Sequence, residues 1–161
     1  YEEARQTLTE ARQIFEDYSG RDSRYIMSIA ACYNYIGDAC RATGDYQSAL
    51  SYYKIAIEKG TGKVVTNGLG QFYSNAGQIY YLLGKIKLAQ EYLEQAVACF
   101  ERHGYYWGLE RAEAYMALVL LEKGEAEEAR KHYKKGVQLS EKMNNPTTVK
   151  VLKEIKNKAG F

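Results

Sequence analysis

The chain of 161 residues has one proline, one tryptophan, two histidines and three cysteines. Scarce proline removes the residue that most often breaks helices, so long helices are favoured. Cys32, Cys40 and Cys99 form no C-x-x-C pair. An odd count without a framework excludes a disulfide scaffold and points to inert thiols buried in a reducing compartment. His103 and His132 lack Cys or carboxylate partners at metal spacing, so both read as surface residues and neither metal nor cofactor is expected. No apolar run approaches the ~20 residues of a membrane span, and no signal peptide is recognisable. A net charge of +2 gives no ground for wholesale attraction to nucleic acid or membrane. A cytoplasmic protein without a cofactor is the expectation.

What is present is ordinary for one globular domain: 46% apolar and 26% charged residues. The sixteen tyrosines are unusual. Each offers a large ring to fill gaps between helices and a hydroxyl that can reach water. Charge is uneven. Residues 1–22 hold six acids against three arginines, and residues 123–161 hold ten bases against five acids. Such a basic end is more often a solvated face than a binding patch, so nucleic acid is not an expected partner.

The dominant signal is a step of 40 residues. Gly44, Gly84 and Gly124 form one series, and Ala49, Ala89 and Ala129 another. Gly37 and Gly77 repeat as well, as do Ala56, Ala96 and Gly136. A fixed period in this range predicts a stacked repeat, an architecture that presents surface.

Helical periodicity fills in the unit. Tyr46, Ala49, Leu50, Tyr53, Ala56 and Ile57 form one helix face. Ile86, Ala89, Leu93, Ala96, Val97 and Phe100 repeat it, and Ala126, Ala129, Tyr133, Gly136 and Val137 repeat it again. Each follows a glycine break, where Gly closes a preceding helix without a Cβ penalty. The preceding helices are expected over Ser23 to Thr43, about Val65 to Leu83 and about Tyr105 to Lys123. Asn145 followed by Pro146 predicts a capped start for a last helix to about Lys158, with an apolar stripe of Val149, Leu152 and Ile155. Tyr1, Ala4, Leu8, Ala11 and Phe15 match the second-helix face, so the chain is expected to open on the second helix of a truncated repeat. The organisation reads as residues 1–18, then repeats over 23–60, 63–103 and 104–144, then a capping helix over 146–159. The fold expected is an all-α, right-handed solenoid of about eight helices.

These residues resemble the tetratricopeptide repeat. Tyr33-Asn34-Tyr35-Ile36-Gly37, Gly44-Asp45, Ala49, Tyr53 and Ala56 fit one copy, and Tyr73 to Gly77, Tyr80, Gly84, Ala89, Leu93 and Ala96 fit a second. The third is looser, with Ala117 for the first-helix glycine and Leu120 for the tyrosine. The step of 40 exceeds the usual 34 and is similar to longer variants, including arms of bacterial signalling and transcription regulators.

The resemblance implies a concave groove lined by first helices that binds a peptide or partner protein. It places Asn34, Asp38, Arg41, Gln71, Ser74, Asn75, Gln78, Tyr81, Trp107 and Arg111 in that groove, with Ala114, Leu118 and Leu121 beyond. Amide side chains can hydrogen-bond a peptide backbone of any sequence, and Trp107 suits an apolar anchor. Chaperone-binding members grip a C-terminal carboxylate with a basic clamp. Asn75 and Arg111 match two clamp positions, but Asn34 and Asp38 stand where lysines are expected, which disfavours that partner. The string Lys59 to Val64 fails as a phosphate loop because Ile57 and Val64 occupy its key positions and no strand precedes it. No nucleophile with a base and orienter emerges, so no catalysis is expected. The reading is an interaction scaffold. The alternative is a ligand-sensing or oligomerising arm of a larger bacterial regulator, with self-association through the open first edge.

Overall fold

The computed structural model describes residues 1–19, 25–61, 67–104, 106–143 and 145–161. They form eight helices and, among the described residues, no strand: α1 (Glu2–Ser19), α2 (Ile26–Ala42), α3 (Tyr46–Gly60), α4 (Asn67–Leu82), α5 (Ile86–Arg102), α6 (Leu109–Glu122), α7 (Ala126–Met143) and α8 (Pro146–Ala159). The helices pack as α2 with α3, α4 with α5 and α6 with α7, while α1 lies on α2 and α8 lies on α6 and α7. This is the all-α helical repeat that the step of 40 implies.

Three hairpin turns share one hydrogen-bond pattern. Gly44 N–H donates to Arg41 O at 3.1 Å and Asp45 N–H to Cys40 O at 3.0 Å. Gly84 and Lys85 make the same pair of bonds to Tyr81 and Tyr80, and Gly124 and Glu125 to Leu121 and Leu120. These are Schellman closures, which satisfy carbonyls a helix end leaves unpaired. They require positive φ at the glycine, observed at +83°, +69° and +79°.

Small residues set how closely the two helices of a hairpin approach. A Cβ on Gly37 would lie 2.6 Å from Cε1 of Tyr53, and one on Gly77 2.8 Å from Cγ of Leu93. Tyr53 and Leu93 are fully buried. In the third unit Ala117 replaces the glycine, and its counterpart Tyr133 is only half-buried. Ala49, Ala89 and Ala129 are likewise sealed in the second-helix seam.

Several expectations are corrected. The first helix of the third unit begins at Leu109, not near Tyr105, because Gly108 holds φ +94° and right-handed helix cannot run through it. Tyr105 itself lies outside the described residues. On α1, Leu8, Ala11 and Phe15 face the stack, but Tyr1 and Ala4 are exposed. On α8, Thr148, Val151, Leu152 and Ile155 are buried while Val149 is half-exposed. Its start is as expected: the Asn145 side chain accepts from Thr147 N–H at 3.1 Å. Cys32 and Cys40 are buried, but Cys99 is only half-buried. Burial pushes all three thiols up. His132 is not a plain surface residue. Its Nδ1 lies 2.5 Å from Oε2 of the fully buried Glu113, which Lys135 also meets at 2.6 Å. Gly60 closes α3 and Thr61 caps it, while Gly62 to Val64 lie outside the described residues. No helix among the described residues is long and apolar enough to cross a membrane.

Candidate functional site

The three first helices enclose a cleft of ≈ 570 Å³. Helix α2 contributes Met27, Ser28, Ala31, Asn34, Tyr35 and Asp38. Helix α4 contributes Gly68, Gln71 and Phe72, and the third unit contributes Trp107 and Arg111. The α2 and α4 sets each lie on one helix face, spaced by three, four or seven residues, while Trp107 precedes α6 and Arg111 lies in its first turn. Ala31, Gln71 and Arg111 occupy one register at the step of 40, so they form a row across three neighbouring helices.

A polar network lies along the cleft. Asn75, nearly fully buried, is its hub. Gln71 Nε2 donates to Asn75 Oδ1 at 2.7 Å, and Arg111 Nη2 donates to the same oxygen at 3.3 Å. Asn75 Nδ2 donates to Asn34 Oδ1 at 2.9 Å and, more weakly, to Asp38 Oδ1 at 3.4 Å. Residues of α2, α4 and α6 are therefore tied through one amide. Asp38 is well supplied with donors. It accepts from the Tyr53 hydroxyl at 2.8 Å and pairs with Arg41 at 3.4 Å. Burial, reinforced by the adjacent Asp38 carboxylate, pushes the Tyr53 phenol far up, so it stays a hydroxyl donor at any physiological pH.

Arg111 differs from Arg41. It has no carboxylate at ion-pair distance among the described residues, although the Nε atoms of both arginines are buried without an acceptor. Burial pulls this guanidinium below the ordinary arginine range.

Apolar groups make the rest of the wall. Tyr35 and Trp107 are more than half exposed, whereas Phe72 is buried behind them. The position of Trp107 depends on Gly108. A Cβ there would lie 2.9 Å from Oε1 of Gln71 and 3.0 Å from Cζ of Phe100, at a φ that side chains avoid. Gly108 N–H also donates to the fully buried Glu110 carboxylate at 2.7 Å. Gly108→Ala is expected to cost about 1–3 kcal/mol and to shift the emission of the sole tryptophan. Unchanged emission and an unchanged urea midpoint would contradict this account.

The anticipated groove residues divide. Asn34, Asp38, Gln71, Trp107 and Arg111 meet at the cleft, with Asn75 beneath them. Ser74 and Gln78 do not line it: they are buried and bonded to one another at 3.2 Å. Arg41 stands behind Asp38. Tyr81 packs edge-on against Tyr115, with ring centroids 5.9 Å apart. Ala114 and Leu118 are sealed beneath α8, in a cluster with Val151, Leu152 and Ile155. Met27, Ala31, Tyr35 and Phe72 were not anticipated. Their spacing from Asn34, Asp38 and Gln71 on the same helix faces is the signal that finds them.

Tetratricopeptide repeat models match residues 1–59, and again 70–101 and 112–143. The chain belongs to the tetratricopeptide repeat family. Among curated proteins, the type II methyltransferase M.CeqI of Rhodococcus hoagii is 32% identical over 105 residues, 65% of this chain. The chain spans only 20% of that protein's length. Among solved structures, the Rap conjugation gene regulator of plasmid pLS20, in complex with the Phr* peptide, superposes with a TM-score of 0.78 at 18% identity. That match covers 94% of this chain and 40% of the regulator. The first TPR of Spaghetti (RPAP3), bound to the HSP90 peptide SRMEEVD, gives 0.62 at 19% identity, covering 82% and 96% respectively.

Proposed function

We propose that the chain is a protein-interaction module that holds an extended peptide segment of a partner in the cleft between α2, α4 and α6. The observation that carries this reading is the make-up of that cleft. Two exposed aromatic rings, Tyr35 and Trp107, stand beside the amide of Gln71 and the guanidinium of Arg111. Rings supply apolar contact area with little entropy to lose, and amides pair with main-chain groups of any sequence. The cleft lining pairs no nucleophile with a base, so the site is suited to holding a ligand rather than transforming one. The peptide complexes of the Rap regulator and of Spaghetti support the same use of the shared fold. On this reading the protein works in the cytoplasm, without cofactor, and nucleic acid is not its partner.

The test is a pull-down with wild type beside Trp107→Ala and Gln71→Ala, each checked by circular dichroism. Trp107 is 55% exposed, so its truncation leaves the fold intact. Loss of an aromatic anchor is expected to weaken binding by about tenfold or more. Partners held equally by all three proteins would move the interaction away from the cleft.

A second reading, the ligand-sensing or oligomerising arm of a larger bacterial regulator, draws on the likeness to the Rap regulator, of which the chain covers 40%. A change in sedimentation coefficient on peptide addition would favour it.

A further inference from the structure

Away from the cleft, a groove of ≈ 330 Å³ opens between the second helices α5 and α7. Its apolar lining is Val97 of α5 with Met116 and Leu120 of α6. Its charged lining is Glu94, Glu101, Glu125 and Glu128, with His132 beside them and no lysine or arginine. The His132 Nδ1 is engaged by Glu113 at 2.5 Å. Glu101, Glu125 and Glu128 pair with Lys135, Lys123 and Lys131, which stand outside the lining. Glu94 has no cation at ion-pair distance among the described residues and accepts from Gln90 Nε2 at 2.8 Å.

The preceding repeat junction shows how such a surface is covered. One step of 40 earlier, Lys54 stands for Glu94, Tyr80 for Leu120, Tyr92 for His132 and Lys85 for Glu125. There the Lys54 ammonium lies 5.7 Å from the centre of the buried Tyr80 ring, which meets Tyr92 edge-on at 4.9 Å. The first junction thus covers its apolar surface with its own lysine. At the second junction smaller side chains replace both rings, and glutamates replace both lysines. The surface that a cation covers at one junction is open and negative at the next. We propose that this groove docks a partner protein through a lysine or arginine flanked by apolar side chains. The aliphatic stem rests on Val97, Met116 and Leu120, and the charged head meets Glu94. Met116 suits such a surface because its flexible thioether adapts to different stems. Groove and cleft share no lining residue, so both can be occupied at once.

Short peptides blocked at both ends, with Leu-Lys-Leu, Leu-Gln-Leu or Leu-Glu-Leu at the centre, test this by NMR of methyl-labelled methionine. The three methionines report separate places: Met116 the groove, Met27 the cleft and Met143 neither. At low salt, Leu-Lys-Leu is expected to move the Met116 signal and to bind about threefold or more tighter than Leu-Gln-Leu, with Leu-Glu-Leu weakest. Glu94 is exposed, so Glu94→Gln leaves the fold intact and should bring the Lys/Gln ratio to about unity. Glu94→Lys, which gives this junction the residue type the first one carries, should abolish the Leu-Lys-Leu response at Met116. Equal binding of the Lys and Gln peptides by wild type overturns the proposal, as does a shift confined to Met27 or no shift at all. An undiminished response in Glu94→Lys overturns the comparison with Lys54. Sedimentation of the protein alone tests the other occupant. Self-association that is lost in Glu94→Lys would assign the groove to a second copy and overturn an external partner.

Discussion

Phe100→Ala is expected to lower the unfolding free energy by about 3–5 kcal/mol, the range for emptying a buried aromatic site. Phe100 is almost wholly buried near the end of α5, within the main core cluster. Its ring reaches beyond its own hairpin. It stands 3.0 Å from where a Cβ would sit on Gly70 and 3.0 Å from the same point on Gly108. Neither glycine has a side chain to collapse into the space left behind, so the cavity would persist. In a chain of this length the loss corresponds to a fall in melting temperature on the order of 10 °C. Because Gly108 positions Trp107, tryptophan emission should change as well. Urea denaturation with fluorescence and circular dichroism measures both, and a free-energy loss under about 1 kcal/mol would refute the supporting role of the ring.

Asn75→Leu is expected to cost at least about 2 kcal/mol despite similar side-chain volume, because each buried group left unpaired carries a penalty of about 1–3 kcal/mol. Gln71, Asn34 and Arg111 each lose a bond when this amide is removed. A double-mutant cycle with Asn34→Ala should show the two effects to be strongly non-additive, since the residues share one network. Additive losses would mean that the network contributes nothing as a unit. A ligand lost on changing Asn75 therefore says little about ligand contact. Trp107, which is more than half exposed, is the cleaner probe.

The repeat was legible because its signals are backbone requirements. Gly44, Gly84 and Gly124 must hold positive φ, and Gly37 and Gly77 must admit Tyr53 and Leu93. The start of α6 was not, because the helical pattern runs back through Gly108 and a single dihedral stops it. The site was half legible. Positions 34, 74 and 114 share one register, and all three are buried at 2% exposure or less. They belong to the seam between successive first helices, where Asn34 and Ser74 make internal hydrogen bonds, although Asn34 also reaches the cleft wall. The register one turn earlier, through Ala31, Gln71 and Arg111, faces the cleft. Sequence alone could not rank the two because both carry polar side chains.

That row of three also acts as a ruler. Neighbouring packed helices lie about 8–10 Å apart, so the path from Ala31 to Arg111 across α4 is roughly 20 Å. An extended strand advances about 3.3 Å per residue, so on the peptide-binding proposal a segment laid along the row would be about six residues long. Beyond Arg111 the surface is closed by α8, whose Val151, Leu152 and Ile155 roof over Ala114 and Leu118. Lengthening a bound segment in that direction adds contact only with the outside of α8, so affinity should plateau at that length instead of growing with each added residue.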